Sequence, residues 1–218
     1  MRFINRHEAG RQLGEQLLAA GVEASCVLAL PRGGVPVGYE VARALHLPLD
    51  VCVVRKLGVP GQEELAFGAI ASGGVRVVSE ALVRKIGITA AEIEAVTARE
   101  TLELERRERR YRGQHTPRDM SYDAPILVDD GVATGSTMRA AVLGLRERGC
   151  EQIIIAVPTA PVDTLAELQR YADRVICLMT PEPFFSVGVW YEDFDQTSDA
   201  EVSRLLALAG DGEEVPQR

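Results

Sequence analysis

The stretch Ile126-Leu127-Val128-Asp129-Asp130-Gly131-Val132-Ala133-Thr134-Gly135-Ser136-Thr137 runs from apolar residues through two carboxylates into a small, hydroxyl-rich turn. Its apolar start reads as a buried strand. The two aspartates then fall at the strand's C-terminal edge, where open α/β sheets bind ligands. Ionised carboxylates accept hydrogen bonds from sugar hydroxyls. Thr134-Gly135-Ser136-Thr137 opens a helix, so free backbone amides and the positive helix end can converge on a phosphate. Gly135 permits close backbone approach, and the hydroxyls add donors. Each of these residues alone is an ordinary turn or cap former. In this order they supply what a phosphorylated sugar needs at one strand end.

Around this segment, short apolar runs at 26–30, 51–54, 75–78, 126–129, 153–157 and 175–179 are rich in β-branched residues and alternate with helical patterns. The spacing predicts an α/β fold, a mainly parallel sheet flanked by helices, in one domain over 1–218. Asn5 with Glu8, Thr89 with Glu92 and Ser198 with Glu201 each set a side-chain acceptor three residues before an acid. Helices are therefore expected near 6–20, 90–112 and 199–209, with others at 35–45 and 136–148. In the charged helix at 89–112, Glu103 and Arg107, like Glu105 and Arg109, are spaced for intrahelical pairs, the pattern of a solvated face. An oligomer contact or an arginine wall near an anion are the other readings.

A net charge of -8 argues against a general nucleic-acid binder, whose affinity comes largely from a basic face. No apolar run is long enough to span a membrane, and the start MRFINRHEAG lacks the pattern of a signal peptide, so a cytoplasmic location is expected. Cys26, Cys52, Cys150 and Cys177 lie far apart without metal or redox spacing and read as buried free thiols. His7, His46 and His115 likewise form no ligand spacing.

Two further basic motifs follow strands. Leu30-Pro31-Arg32-Gly33-Gly34 can expose consecutive amides beside a guanidinium, which suits pyrophosphate, and Arg55-Lys56 follows the second apolar run. The segment LGVPGQEELAFGAIASGG at 57–74 holds five glycines in eighteen residues and two acids, Glu63 and Glu64, and reads as a loop able to close over a ligand. Near the C-terminus, 181–194 gathers five of the chain's eleven aromatic residues, and its two prolines indicate a loop.

The segment 126–137 resembles the signature of the type I phosphoribosyltransferases: an apolar strand, two acids, two variable positions, then a small residue with Thr-Gly-Ser/Thr-Thr. The resemblance implies that Asp129 and Asp130 hold the ribose hydroxyls of phosphoribosyl diphosphate (PRPP) and, directly or through water, magnesium. It assigns Ala133, Thr134, Gly135, Ser136 and Thr137 to the 5-phosphate. Gly33 and Gly34 match the family's pyrophosphate loop, often of unusual backbone conformation, and Arg32, Arg55 and Lys56 match its diphosphate-facing cations. A lid at about 57–120 and a small hood at about 181–197 are implied too. Phe185-Ser-Val-Gly is similar to the hood of the purine members, placing Phe185, Val187, Trp190 and Glu192 at the acceptor.

What the resemblance implies is a magnesium-dependent glycosyltransferase of nucleotide metabolism. It would carry the 5-phosphoribosyl group from PRPP to a nitrogenous base or related small-molecule acceptor and release pyrophosphate, a homodimer being common in relatives. Hypoxanthine- and guanine-type members carry an aspartate where this chain has Ala133, as adenine-type members do. Their lysine after the preceding strand is absent from 156–161. No acceptor signature is complete. Regulatory proteins of the same fold sense PRPP or nucleotides without turnover, but the intact Arg32, Arg55, Lys56 and glycine-rich lid point to an enzyme. A phosphoacceptor receiver domain would need its acid pair after the first strand, and this pair follows the fourth.

Overall fold

The computed structural model describes residues 2–113 and 122–211. In chain order the elements are α1 (Arg6–Ala19), β1 (Cys26–Ala29), α2 (Gly34–Leu45), β2 (Leu49–Val51), β3 (Val54–Val59), β4 (Gln62–Ala71), β5 (Val75–Val78) and α3 (Glu80–Ile86). There follow α4 (Ala90–Arg112), β6 (Pro125–Val128), α5 (Ser136–Glu147), β7 (Ile154–Thr159), α6 (Val162–Leu168), β8 (Arg174–Met179), a 3₁₀ turn at Val187–Trp190, and α7 (Asp199–Asp211).

The capping signals act as read. Asn5 accepts from the Glu8 amide, Ser198 from the Glu201 amide, and Thr89 with Glu92 forms a reciprocal capping box. β1 and β6 are apolar throughout because both faces are covered, as in parallel sheets generally. The main sheet has the order β2-β1-β6-β7-β8, with every pair parallel. One core contains Leu13 and Leu17 of α1, Val41 of α2 and Leu205 of α7, and the other Met138 and Leu145 of α5 with Leu168 of α6. Each fully buried leucine contributes roughly 2 kcal/mol of apolar transfer. The fold class is therefore the expected one, a parallel sheet flanked by helices. Among the described residues no helix is long and apolar enough to cross a membrane.

Strand order positions the site. From β1 the chain goes to β2 on one side, whereas β6 leads to β7 and β8 on the other. The connections leaving the C-terminal ends of β1 and β6 therefore run in opposite directions, which makes this the topological switch point, where open α/β sheets bind ligands. Leu28 pairs with Leu127 and Ala29 with Val128, so the residues after Ala29 and after Val128 emerge side by side.

The region 51–78 departs from expectation. The run 51–54 is not one strand: β2 ends at Val51, and Cys52 and Val53 carry the chain into a second, three-stranded antiparallel sheet, β3-β4-β5. The glycine-rich segment 57–74 is mostly the β3–β4 hairpin rather than an unstructured loop. Its glycines serve close approach: a Cβ on Gly68 would lie 2.4 Å from the Val77 carbonyl oxygen, and one on Gly58 would lie 2.5 Å from that of Glu63. Phe67, fully buried, anchors the hairpin to the core. The short helices α3 and α6 were not anticipated. His115 and the expected lid beyond 113 lie outside the described residues.

Helix α4 divides its faces. The Glu103–Arg107 and Glu105–Arg109 pairs form on the exposed face at 2.8 and 3.5 Å. Val96, Glu100, Leu104 and Tyr111 are buried on the other. Cys26, Cys52 and Cys150 are buried free thiols, whereas Cys177 is only partly covered. Burial pushes Cys26 up to about 11 and Cys52 to about 12, which keeps both unreactive.

Candidate functional site

At the switch point the two glycines of the β1 connection lie against the acid pair of the β6 connection. A Cβ on Gly33 would lie 2.0 Å from Asp130 Oδ2, and one on Gly34 would lie 2.9 Å from the Asp129 Cα. Gly33 has ordinary helical dihedrals, φ -60 and ψ -32, so close approach rather than backbone conformation requires glycine there. The Pro31–Arg32 peptide in this loop is cis. Arg32 at its tip rests 3.6 Å from Asp199 in the first turn of α7, and Asp199 also holds Arg110 at 2.8 Å.

On the neighbouring connection, Gly135 has φ 70 and no side chain caps α5, so the first-turn amides of Ser136, Thr137 and Met138 are left to an incoming anion. Ala133 and Thr134 are exposed, and Thr134 Oγ1 and Ser136 Oγ lie 3.3 Å apart. The loop is tied from behind. Thr164 donates to the Ala133 carbonyl at 2.7 Å, and the Val132 amide donates to the Thr159 carbonyl at 2.9 Å.

Arg55 turns away from this cluster, whereas Lys56 shares a cleft with its Ser136. Successive residues of β3 face opposite sides of the small sheet. Arg55 donates from Nε and Nη2 to Glu100 of α4 at 2.9 and 2.6 Å. Exposed Lys56 lines a cleft of about 500 Å³ between the hairpin and α5, shared with Ser136 and Arg139.

Of the aromatic segment, Phe185 is 78% exposed, and Trp190 packs near Phe184 with its indole N–H buried and unpartnered. Val187 lies under the acid-pair loop, where a Cβ on Gly131 would approach its Cγ1 to 2.5 Å. The Glu192 side chain is exposed, while its amide donates to the Phe3 carbonyl.

Two residues reach the acid pair unannounced by any motif. Arg6 donates from Nε to Asp130 Oδ2 at 2.8 Å, and Tyr191 donates its hydroxyl to the Asp130 carbonyl at 2.5 Å. The one sequence signal for Arg6 is a cation in the first turn of a helix, where the macrodipole disfavours it.

Burial, reinforced by the Asp130 charge, raises the Asp129 carboxyl well above the ordinary aspartate value of 3.8. Asp130 is raised too, by burial, with Arg6 opposing. A carboxylate with a raised folded-state value binds its proton more tightly folded than unfolded. Its contribution to stability is complete below 3.8 and is lost as pH rises through the folded value. Asp129→Asn is therefore expected to melt with wild type at low pH and above it near neutrality. Thermal denaturation across pH checks this, and parallel profiles for the two proteins would contradict it.

A family model described as "Phosphoribosyl transferase domain" matches residues 5–193. Two Mycobacterium tuberculosis sequences, "Putative phosphoribosyl transferase Rv0571c" from strain H37Rv and "Putative phosphoribosyl transferase MT0597" from strain CDC 1551, are each 48% identical over 207 residues. The alignments cover 95% of this chain and 47% of each relative, so the chain spans about half the length of the curated relatives it matches. The crystal structure of TT1426 from Thermus thermophilus has a TM-score of 0.82 at 39% identity, over 94% of this chain and 98% of that one. With the family's match running through the β1 loop, the acid pair and the aromatic segment, the chain belongs to the phosphoribosyl transferase domain family.

Proposed function

We propose that the chain is a magnesium-dependent pentosyltransferase that moves the 5-phosphoribosyl group from PRPP to a nitrogenous base or related acceptor and releases pyrophosphate. The observation that carries this reading is the apposition of Gly33 and Asp130 at the switch point, beside the uncapped start of α5. A sugar held by its hydroxyls at Asp129 and Asp130 would have its 5-phosphate within reach of 133–137 and its diphosphate beside 32–34. Catalysis is then chiefly positioning and charge stabilisation. The bond from the anomeric carbon to the diphosphate oxygen breaks, a carbon–nitrogen bond forms, and the acceptor gives up its proton. Arg32 would turn from Asp199 to the departing diphosphate, and Lys56 would act from the hairpin. Exposed Phe185 offers a flat apolar surface to a base.

Magnesium fits the donor set. Asp129 and Asp130 offer oxygen only, which this cation prefers, and Arg6 supplies a single positive charge against two carboxylates. When bound, the ion would neutralise charge on the diphosphate. Asp129 and Asp130 would hold it directly or through water.

Titration calorimetry with PRPP, with and without magnesium, tests the reading. Magnesium-dependent binding is expected, followed by pyrophosphate release once a suitable base is added. No binding in either condition would overturn it. Binding without turnover across a panel of bases would identify a sensor.

A further inference from the structure

Arg6 occupies the first position of α1, where its charge opposes the helix dipole, so the helix does not account for it. Its side chain is nevertheless only 11% exposed, and arginine is rarely so covered unless paired. The guanidinium makes three contacts with two distant parts of the chain. Nε donates to Asp130 Oδ2 at 2.8 Å, Nη1 donates to the Asp195 carbonyl at 2.7 Å, and the flat face lies 3.8 Å from the centroid of the Phe194 ring. A planar fork can do all of this at once and an ammonium cannot.

The residues just before Arg6 reinforce the same junction. The Phe3 amide donates to the Trp190 carbonyl, and the amides of Glu192 and Asp193 donate to the carbonyls of Phe3 and Ile4, at 2.9, 2.8 and 2.9 Å. Phe3 and Tyr191 form a parallel bridge with rings 5.4 Å apart, and Tyr191 reaches the Asp130 carbonyl. The N-terminal strap and the aromatic segment thus form one layer, and Arg6 is where that layer meets the acid pair. Gly33 also packs against the same carboxylate oxygen.

We propose that Arg6 is a positioning residue that fixes the Asp130 carboxylate and the 190–195 segment as one unit, so that sugar binding and the seating of the acceptor hood depend on each other. This rests on the reading of Asp130 as a ribose ligand. The side chain does not itself touch the reacting atoms.

The test compares wild type, Arg6→Lys, Asp130→Asn and the double variant by magnesium–PRPP calorimetry, thermal melting and emission of Trp190, the chain's single tryptophan. Arg6→Lys keeps the charge but loses the fork. It is expected to melt near wild type, to bind PRPP at least about tenfold more weakly, and to shift the Trp190 emission without ligand. Adding Arg6→Lys to Asp130→Asn is expected to change affinity by less than about twofold, because residues acting through one group are not additive. Should Arg6→Lys not fold, Arg6→Gln, which retains two donors, takes its place. Wild-type affinity in Arg6→Lys, additive losses in the double variant, or an unmoved Trp190 spectrum would each overturn the proposal. Failure of wild type to bind PRPP would refute the proposed activity. The Trp190 spectra would then decide the Arg6 linkage alone, a shift retaining Arg6 as the anchor of the hood and no shift removing it.

Discussion

Asp130→Asn is expected to weaken magnesium–PRPP binding by about 100-fold while leaving the fold in place. An ionised carboxylate accepting sugar hydroxyls and holding a cation makes charge-assisted bonds, each stronger than its neutral counterpart. Losing the charge from two such interactions, at roughly 1.4 kcal/mol per factor of ten, gives an effect of this size. Stability should change little because two consequences oppose each other. Arg6 loses an ionic partner, although the asparagine oxygen can still accept from its Nε, and Asp129 loses the neighbouring charge that helps raise its proton affinity. A melting temperature within about 4 °C of wild type, with calorimetric affinity down by two orders of magnitude, is the expected pair of readings. Retained affinity would remove Asp130 from the ribose site.

Gly33→Ala tests the apposition itself. The backbone at Gly33 would accept alanine without conformational cost, so any effect must come from the added methyl group. That methyl would sit 2.0 Å from Asp130 Oδ2, 2.7 Å from its Cγ and 3.3 Å from Arg6 Nε. Either the carboxylate swings away and abandons Arg6, or the 31–34 loop lifts from β6. Both outcomes separate the diphosphate loop from the sugar carboxylate. PRPP affinity should fall by about 100-fold, with roughly 1–3 kcal/mol of destabilisation from overpacking. Unlike Asp130→Asn, this variant keeps every charged group, so an equal loss of binding would show that geometry matters as much as charge. Near wild-type binding would mean that the two loops act independently.

Much of the site was legible in residue order because its parts are local. The acid pair, the hydroxyl turn and the caps at Asn5, Thr89 and Ser198 are patterns within a few residues, and caps and strand ends are set over that range. The hairpin at 54–71 was harder to read. Its glycines mimic a loop, and only cross-strand packing of Gly58 against Glu63 and Gly68 against Val77 shows that they serve close approach. Arg55 and Lys56 are adjacent in sequence and look like one basic site. Strand alternation sends one to Glu100 and the other to the α5 cleft.

Residue order alone specifies an α/β chain whose strand at 126–129 delivers two carboxylates and a phosphate-type turn, because apolar period, β-branching and turn chemistry act between near neighbours. What those carboxylates meet comes from the folded arrangement. Arg6 lies 124 residues before Asp130, Tyr191 lies 61 residues after it, and Gly33 reaches it from the connection of another strand. The Gly33 meeting follows from β1 lying beside β6 in the sheet, and the other two from α1 packing over β7 and β8 and from the bridge between Phe3 and Tyr191. Strand order is set by the burial of whole faces across the domain, and no period within one segment encodes it.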